Sequence, residues 1–141
     1  MANLQFDLVS PERRLASVVA TEVRIPAVEG DMTAMANHVP TITTLRPGLL
    51  AVVHAGGTDE YVVSGGFAEI NAESVSVLAE QALPRGEVSQ EIFDQMVADA
   101  QNALTAAQAD TDGDGSRAVD AAKVLTDTLA IGTAIGLTAK V

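Results

Sequence analysis

The stretch DTDGDGS, residues 110–116, has the side chains of a cation-binding loop, with Asp110, Asp112 and Asp114 alternating and Gly113 and Gly115 permitting sharp turns. Calcium collects several oxygen ligands, and an EF-hand loop closes that shell with a bidentate carboxylate at its twelfth position. Counted from Asp110, that position holds Ala121, and the eighth, where an apolar side chain belongs, holds Arg117. The closing ligand is missing. The stretch therefore reads as a solvated acidic connection, and no metal site is expected. His38 and His54 have no ligand-spaced partner, and no serine stands in a nucleophile motif. The SGG at 64–66 opens no helix, so it reads as a hairpin or bulge between strands and not as a phosphate cradle. A cleft enzyme would use Glu69 or Asp59, but no spacing equips either with a partner. No catalytic residue and no cofactor are expected.

Composition sets the same bounds. The chain has 141 residues, 48% of them apolar and 3% aromatic, and no cysteine, which removes disulfides, thiolate ligands and thiol nucleophiles together. That length suits one domain, or a small domain with an appendage. With 19 acidic against 8 basic side chains, the net charge of −11 would repel nucleic-acid phosphates and an anionic membrane surface alike. MANLQFDLVSPERR has no basic start leading into an apolar run, so neither a secretory signal nor a transit peptide is expected. TLAIGTAIGLTA is apolar but is bracketed closely by Asp127 and Lys140, whereas a spanning helix needs about 20 residues. It reads as a packing or partner-facing tail, without direct membrane insertion.

Residues 1–84 are predicted to form strands: LQFDLVS, RLASVVATEVRI, GLLAVVH, EYVVSGG and FAEINAESVSVLAE are β-branched runs separated by turn signals. In ESVSVLAE, Val75 and Val77 must face one way and Ser74 and Ser76 the other. Turns at Pro11-Glu12, Glu29-Gly30-Asp31, Pro47-Gly48, Gly56-Gly57 and Asn71-Ala72 suit an antiparallel sandwich or flattened barrel. Residues 85–141 change period. Val88, Ile92, Phe93, Met96, Val97, Ala100 and Leu104 recur at helical spacing after the cap Ser89, with Glu91 in the first turn. A second stripe, Val119, Ala122, Leu125 and Leu129, follows another cap at Ser116. The fold class is therefore α+β, a strand domain followed by an antiparallel two-helix hairpin.

Within the strand domain lie Glu29-Gly30-Asp31, His38-Val39-Pro40, Arg46-Pro47-Gly48, Gly65-Gly66-Phe67-Ala68-Glu69 and Leu78-Ala79. In this order they resemble the epsilon subunit of bacterial F-type ATP synthases, the counterpart of mitochondrial delta. The resemblance implies a non-catalytic central-stalk subunit, bound by its sandwich to the gamma subunit and to the membrane c-ring, that couples proton-driven rotation to ATP synthesis. It implies c-ring contacts at Glu29, Gly30 and especially Asp31, gamma contacts at His38 and Thr43, and a peripheral place on the cytoplasmic face of the bacterial inner membrane. It also implies a hairpin able to reach the alpha/beta head transiently and hinder hydrolysis.

Departures from the family pattern refine these expectations. Ala36-Asn37 stands where Pro-Gly is common, and asparagine tolerates left-handed backbone. Thr33 replaces a common glycine beside the acidic turn. Val88-Ser89-Gln90-Glu91-Ile92-Phe93 lacks the aspartate and arginine of nucleotide-binding members, so no ATP site is expected. The second helix offers Arg117, Lys123 and Lys140 among Asp110, Asp112, Asp114, Asp120 and Asp127, so inhibition through acidic loops should be weak. The competing reading is an independent β-sandwich binding module with a helical interaction tail. It would need an aromatic ligand platform, which Phe6, Phe67, Phe93 and Tyr61 do not form in the pattern.

Overall fold

Along β1 (Leu4–Val9), Leu4, Phe6 and Leu8 alternate with Gln5, Asp7 and Val9, and all three apolar side chains are withdrawn from water in the computed structural model. The structure describes residues 3–109 and 115–137, so the aspartates of the 110–116 connection lie outside the described residues. The chain divides into two compact units, with the break between Glu87 and Val88.

The first unit is a β-sandwich. It continues with β2 (Arg14–Ala20), β3 (Glu22–Ala27), β4 (Gly30–Met35), β5 (Thr41–Thr44), β6 (Gly48–His54), β7 (Gly57–Ile70) and β8 (Ser74–Pro84). The strand order is β2-β1-β8-β7-β6-β3-β4, with β5 pairing β7 off that path, and the sheet does not close. Its core joins Phe6, Leu8, Val23, Ile25, Leu50, Val52, Val63, Ile70, Val75 and Val77, all at most 1% exposed. Val75 and Val77 therefore point inward, as their alternation predicts.

Three expectations need correction. The sandwich is not wholly antiparallel, because β1 pairs β8 in parallel, Gln5 opposite Ser74 through Val9 opposite Leu78. RLASVVATEVRI is not one strand: the chain breaks at Thr21, whose N–H and hydroxyl both donate to the Val53 carbonyl, at 2.8 and 3.1 Å. Most instructive is SGG, which does not separate strands but lies inside β7. The β7–β8 register is the same on both sides of Gly65, Ser64 opposite Gln81 and Gly66 opposite Ala79. Before the glycines β7 pairs β6, and after them it pairs β5. Gly65 and Gly66 have φ of 70° and 98°, a left-handed kink at which one long strand changes partners.

In the second unit, α1 (Gln90–Ala109) buries Phe93, Val97 and Ala100, and the Ser89 hydroxyl accepts the Ile92 N–H at 3.2 Å, as a cap should. α2 (Ser116–Ile135) departs from the expectation. Its cap is Gly115, at φ 87°, and Ser116 is its first helical residue. Val119, at 69% exposure, and Leu129, at 37%, lie outward. Thr128, Ile131 and Gly132 are buried instead, with Ala118, Ala121, Leu125 and Ile135 half-buried on the same face. That face sets alanine, threonine and glycine between Leu125, Ile131 and Ile135, so a stripe of large apolar side chains alone does not trace it. The Thr128 hydroxyl, buried, donates to the Val124 carbonyl at 2.7 Å and so needs no other partner. Phe93, near the start of α1, meets Gly132, near the end of α2, so the pair is antiparallel as predicted.

Candidate functional site

The acidic turn is built from both ends of the β3–β4 hairpin. Ala27 pairs with Gly30, leaving Val28 and Glu29 at the tip, and Gly30 has φ 134°, which a side chain would strain. β5 approaches from the side: the Val28 N–H donates to the Thr44 carbonyl at 2.9 Å, and Ala27 bridges Leu45. Arg46 follows directly. Its backbone N–H donates to the Pro26 carbonyl at 2.9 Å, one guanidinium nitrogen to the Ala27 carbonyl at 2.7 Å, and another to the Asp31 carboxylate. A guanidinium presents donors in a rigid planar fork, so it can hold a carbonyl and a carboxylate together where an ammonium would have to choose. Pro26, which lacks an N–H, sits beyond the stretch of β3 that pairs β6, so no ladder bond is lost there. Gly48 follows from the same crowding, since a Cβ there would come within 2.7 Å of the Pro26 ring.

Between this turn and β5 lies an open depression of about 470 Å³, with Glu29, Gly30 and Asp31 on one side and Thr41 and Thr43 on the other. Four of the residues singled out in the sequence thus share one surface feature. His38 does not share it. It stands beyond the far end of β4, its N–H donating to the Met35 carbonyl at 3.2 Å and its Nδ1 to the Val39 carbonyl at 2.7 Å. Beside it Asn37 has φ 68°, the left-handed conformation anticipated for the Ala36-Asn37 replacement, and its N–H donates to the Ala72 carbonyl at 2.7 Å. Thr33 lies in regular ladder opposite Arg24, so losing the common glycine leaves the hairpin undisturbed.

Sequence reasoning missed Arg46's role. It treated Asp31 as an acid awaiting a partner, whereas the fold supplies one fifteen positions along the chain. Glu29, exposed at the tip, has no hydrogen bond or ion pair among the described residues.

Among the described residues, the titratable contacts around His54, Asp59 and Tyr61 form no reaction centre. His54 Nε2 donates to the Asp59 carboxylate at 2.8 Å while its Nδ1 accepts the Gly56 N–H at 3.0 Å, so this dyad ties down the β6–β7 hairpin. Burial pushes the neighbouring Tyr61 phenol above its ordinary value, with the Asp59 carboxylate adding to the shift. Tyr61 is therefore held neutral. Asp59 and Glu69 lie ten positions apart on β7, on opposite sides of its glycine kink, and cannot act as a carboxylate pair. Among the described residues no cluster of three or more histidines and carboxylates could hold a metal. What the geometry offers is a stiff strand scaffold with an acidic rim.

Comparison with known proteins agrees. The family model for the ATP synthase Delta/Epsilon chain, beta-sandwich domain, matches residues 3–85. The ATP synthase epsilon chain of Rhodobacter capsulatus is 54% identical over 134 residues, covering 95% of this chain and 97% of that one. That of Fuscovulum blasticum is 69% identical over 99 residues, 70% of this chain and 76% of that one. Among solved structures, a chain of the Euglena gracilis mitochondrial ATP synthase, from an OSCP/F1/c-ring assembly, superposes with a TM-score of 0.70 at 25% identity, covering 96% of this chain and 82% of that one. A match over the whole strand unit, joined to a relative aligned nearly end to end, leaves one conclusion: the chain belongs to the ATP synthase delta/epsilon family, as a structural subunit of that complex and not its catalyst.

Proposed function

We propose that the chain is a rotor subunit of the central stalk, joining a gamma-type subunit to the c-ring through its sandwich, residues 1–84, so that proton-driven rotation reaches the catalytic head. The carrying observation is the rim: Glu29, Gly30, Asp31 and Thr43 around one depression, on a scaffold whose core is made almost wholly of strand residues. An adaptor under torque needs stiffness and a partner-facing surface, and a sandwich with an acidic rim fits that reading. The Euglena assembly, which contains F1 and a c-ring, supports the same placement. His38, at the other end of β4, is assigned to gamma. No helix among the described residues is long and apolar enough to cross a membrane, which fits peripheral attachment at the cytoplasmic face of a bacterial inner membrane. Tagged chain is expected to bring down a detergent-solubilised complex containing gamma and c subunits. Repeated purification of that complex without the chain would overturn the placement.

The hairpin is assigned a weak regulatory part. Lys123, one of its few cations, holds Asp127 at 3.2 Å, so little positive charge remains for acidic loops of the head. A segment shifts a two-state equilibrium only by its differential affinity for the two states. Deleting residues 88–141 is expected to leave the sandwich folded and to change hydrolysis by the isolated head less than about tenfold, or about 1.4 kcal/mol. A larger release would show the hairpin to be a strong brake.

A further inference from the structure

The acidic turn contains two carboxylates in different circumstances, and an adaptor surface is defined by the charge it leaves available. Asp31 is 80% exposed at its side chain, yet it is held by Arg46, whose own side chain is only 23% exposed. Arg46 is fixed in turn by its backbone bond to Pro26 and its guanidinium bond to Ala27. One residue thus ties β3, the start of β4 and the exit of β5 into a single rim. Glu29 stands at the tip with no partner among the described residues.

We propose that Arg46 is the positioning residue of this rim, and that Glu29, not Asp31, carries its available charge to a basic partner surface. This rests on the reading of the rim as the c-ring contact. Two electrostatic arguments carry it. An ion pair already made inside the chain must be broken or shared before Asp31 can serve a partner, so its contribution to association is reduced. A carboxylate without an internal partner gives up only its hydration to meet an incoming lysine or arginine, with no internal pair to break. Arg46 has two acceptors to satisfy, so lysine, with a single-point charge, is not equivalent to it.

Two measurements on the full-length chain and the assembled complex test this. Amide exchange of Val28 and Gly30 is expected to rise about fivefold or more in Arg46→Ala, to rise less in Arg46→Lys, and to stay unchanged at the core amide of Val77. An unaltered turn in Arg46→Ala would remove the positioning role. In solubilised ATP synthase, Glu29→Gln is expected to release the chain at lower salt than wild type, with Asp31→Asn closer to wild type. Equal or greater weakening by Asp31→Asn would overturn the assignment of Glu29. If exchange responds as expected but neither acidic substitution alters release, Arg46 keeps its role, and both the Glu29 assignment and the c-ring reading fall.

Discussion

Gly66→Ala is expected to destabilise the sandwich by about 4 kcal/mol or more, in the exceptional range for a single substitution. A Cβ at this position would lie 2.0 Å from the Leu78 carbonyl oxygen and 2.8 Å from the Ala79 Cα. Both obstacles are backbone of β8, paired along its length with β7 and over five residues with β1, so they cannot swing aside as a side chain tip would. On the other side, the Gly66 carbonyl accepts the Leu45 N–H at 2.9 Å, which resists a shift of β7 itself. The φ of 98° adds conformational strain to the collision. Gly30→Ala separates the two effects, because Gly30 has φ 134° but open space around its missing Cβ. That change is expected to cost about 1–3 kcal/mol. Since whole domains are stable by only about 5–15 kcal/mol, Gly66→Ala should leave the strand unit barely folded in a urea titration where Gly30→Ala still gives a clean transition. Similar midpoints for the two variants would show that β8 yields, and that steric closure is not what requires Gly66.

That glycine also marks where sequence reasoning reached its limit. Gly65-Gly66 was recognisable as a backbone special, but a turn and a kink use the same residue type, and only the pairing partners distinguish them. The partners of β7 are set by β5 and β6, and β5 carries no apolar run that local reading could find. Its Ile42 is 72% exposed, and Thr41, Thr43 and Thr44 carry the rest of a short strand whose only ladder partner is β7. β4 is concealed for the same reason: at the sheet edge it needs only one buried residue, Ala34. Parallel pairing of β1 with β8 joins segments some seventy residues apart, so no local period encodes it. By contrast, β1 and β8 place an apolar residue at every second position because they have a core face to fill, and that alternation is visible in the residue order alone.

The acidic turn was legible in the same partial way. Glu-Gly-Asp announces a hairpin, and Gly30 does lie at its left-handed position. The electrostatic state of that hairpin was not readable, because it depends on Arg46 arriving from the far end of β5. In α2 the failure was one of residue size. Hydrophobic periodicity weights large side chains, whereas this helix mixes alanine, threonine and glycine with Leu125, Ile131 and Ile135 on its packed face and keeps Val119 and Leu129 outside. Close approach of two helices needs small residues on at least one of them, so a stripe of small side chains is as much a packing signal as a stripe of leucines.

The contact that depends on the small residues of this face is the one between Gly132 and Phe93, and Gly132→Val is expected to melt the helical hairpin while the sandwich stays folded. Even a single Cβ at Gly132 would lie 2.3 Å from the Phe93 ring and 2.9 Å from the Leu137 carbonyl. Phe93 is 0% exposed, so its ring cannot swing out into solvent without opening the contact. The C-terminus of α2 cannot retreat easily either: the Gly132 carbonyl accepts both the Gly136 N–H and, at 2.7 Å, the Leu137 N–H, the paired bonds of a glycine-terminated helix. Overpacking of this kind costs about 3 kcal/mol, and helices of this length draw most of their stability from packing. The sandwich core, by contrast, consists of residues of the strand unit from Leu4 to Ala82, all but Leu45 on its strands. Helical circular dichroism should therefore fall while amide protection at Val75 and Val77 persists. Phe93→Leu combined with Gly132→Ala should be more stable than the two single changes sum to, by about 1 kcal/mol, because the smaller leucine makes room for the added methyl and the methyl fills part of the space the ring leaves. Simple additivity, or loss of strand protection together with helix, would mean that the ring and the glycine do not form the contact on which the hairpin closes.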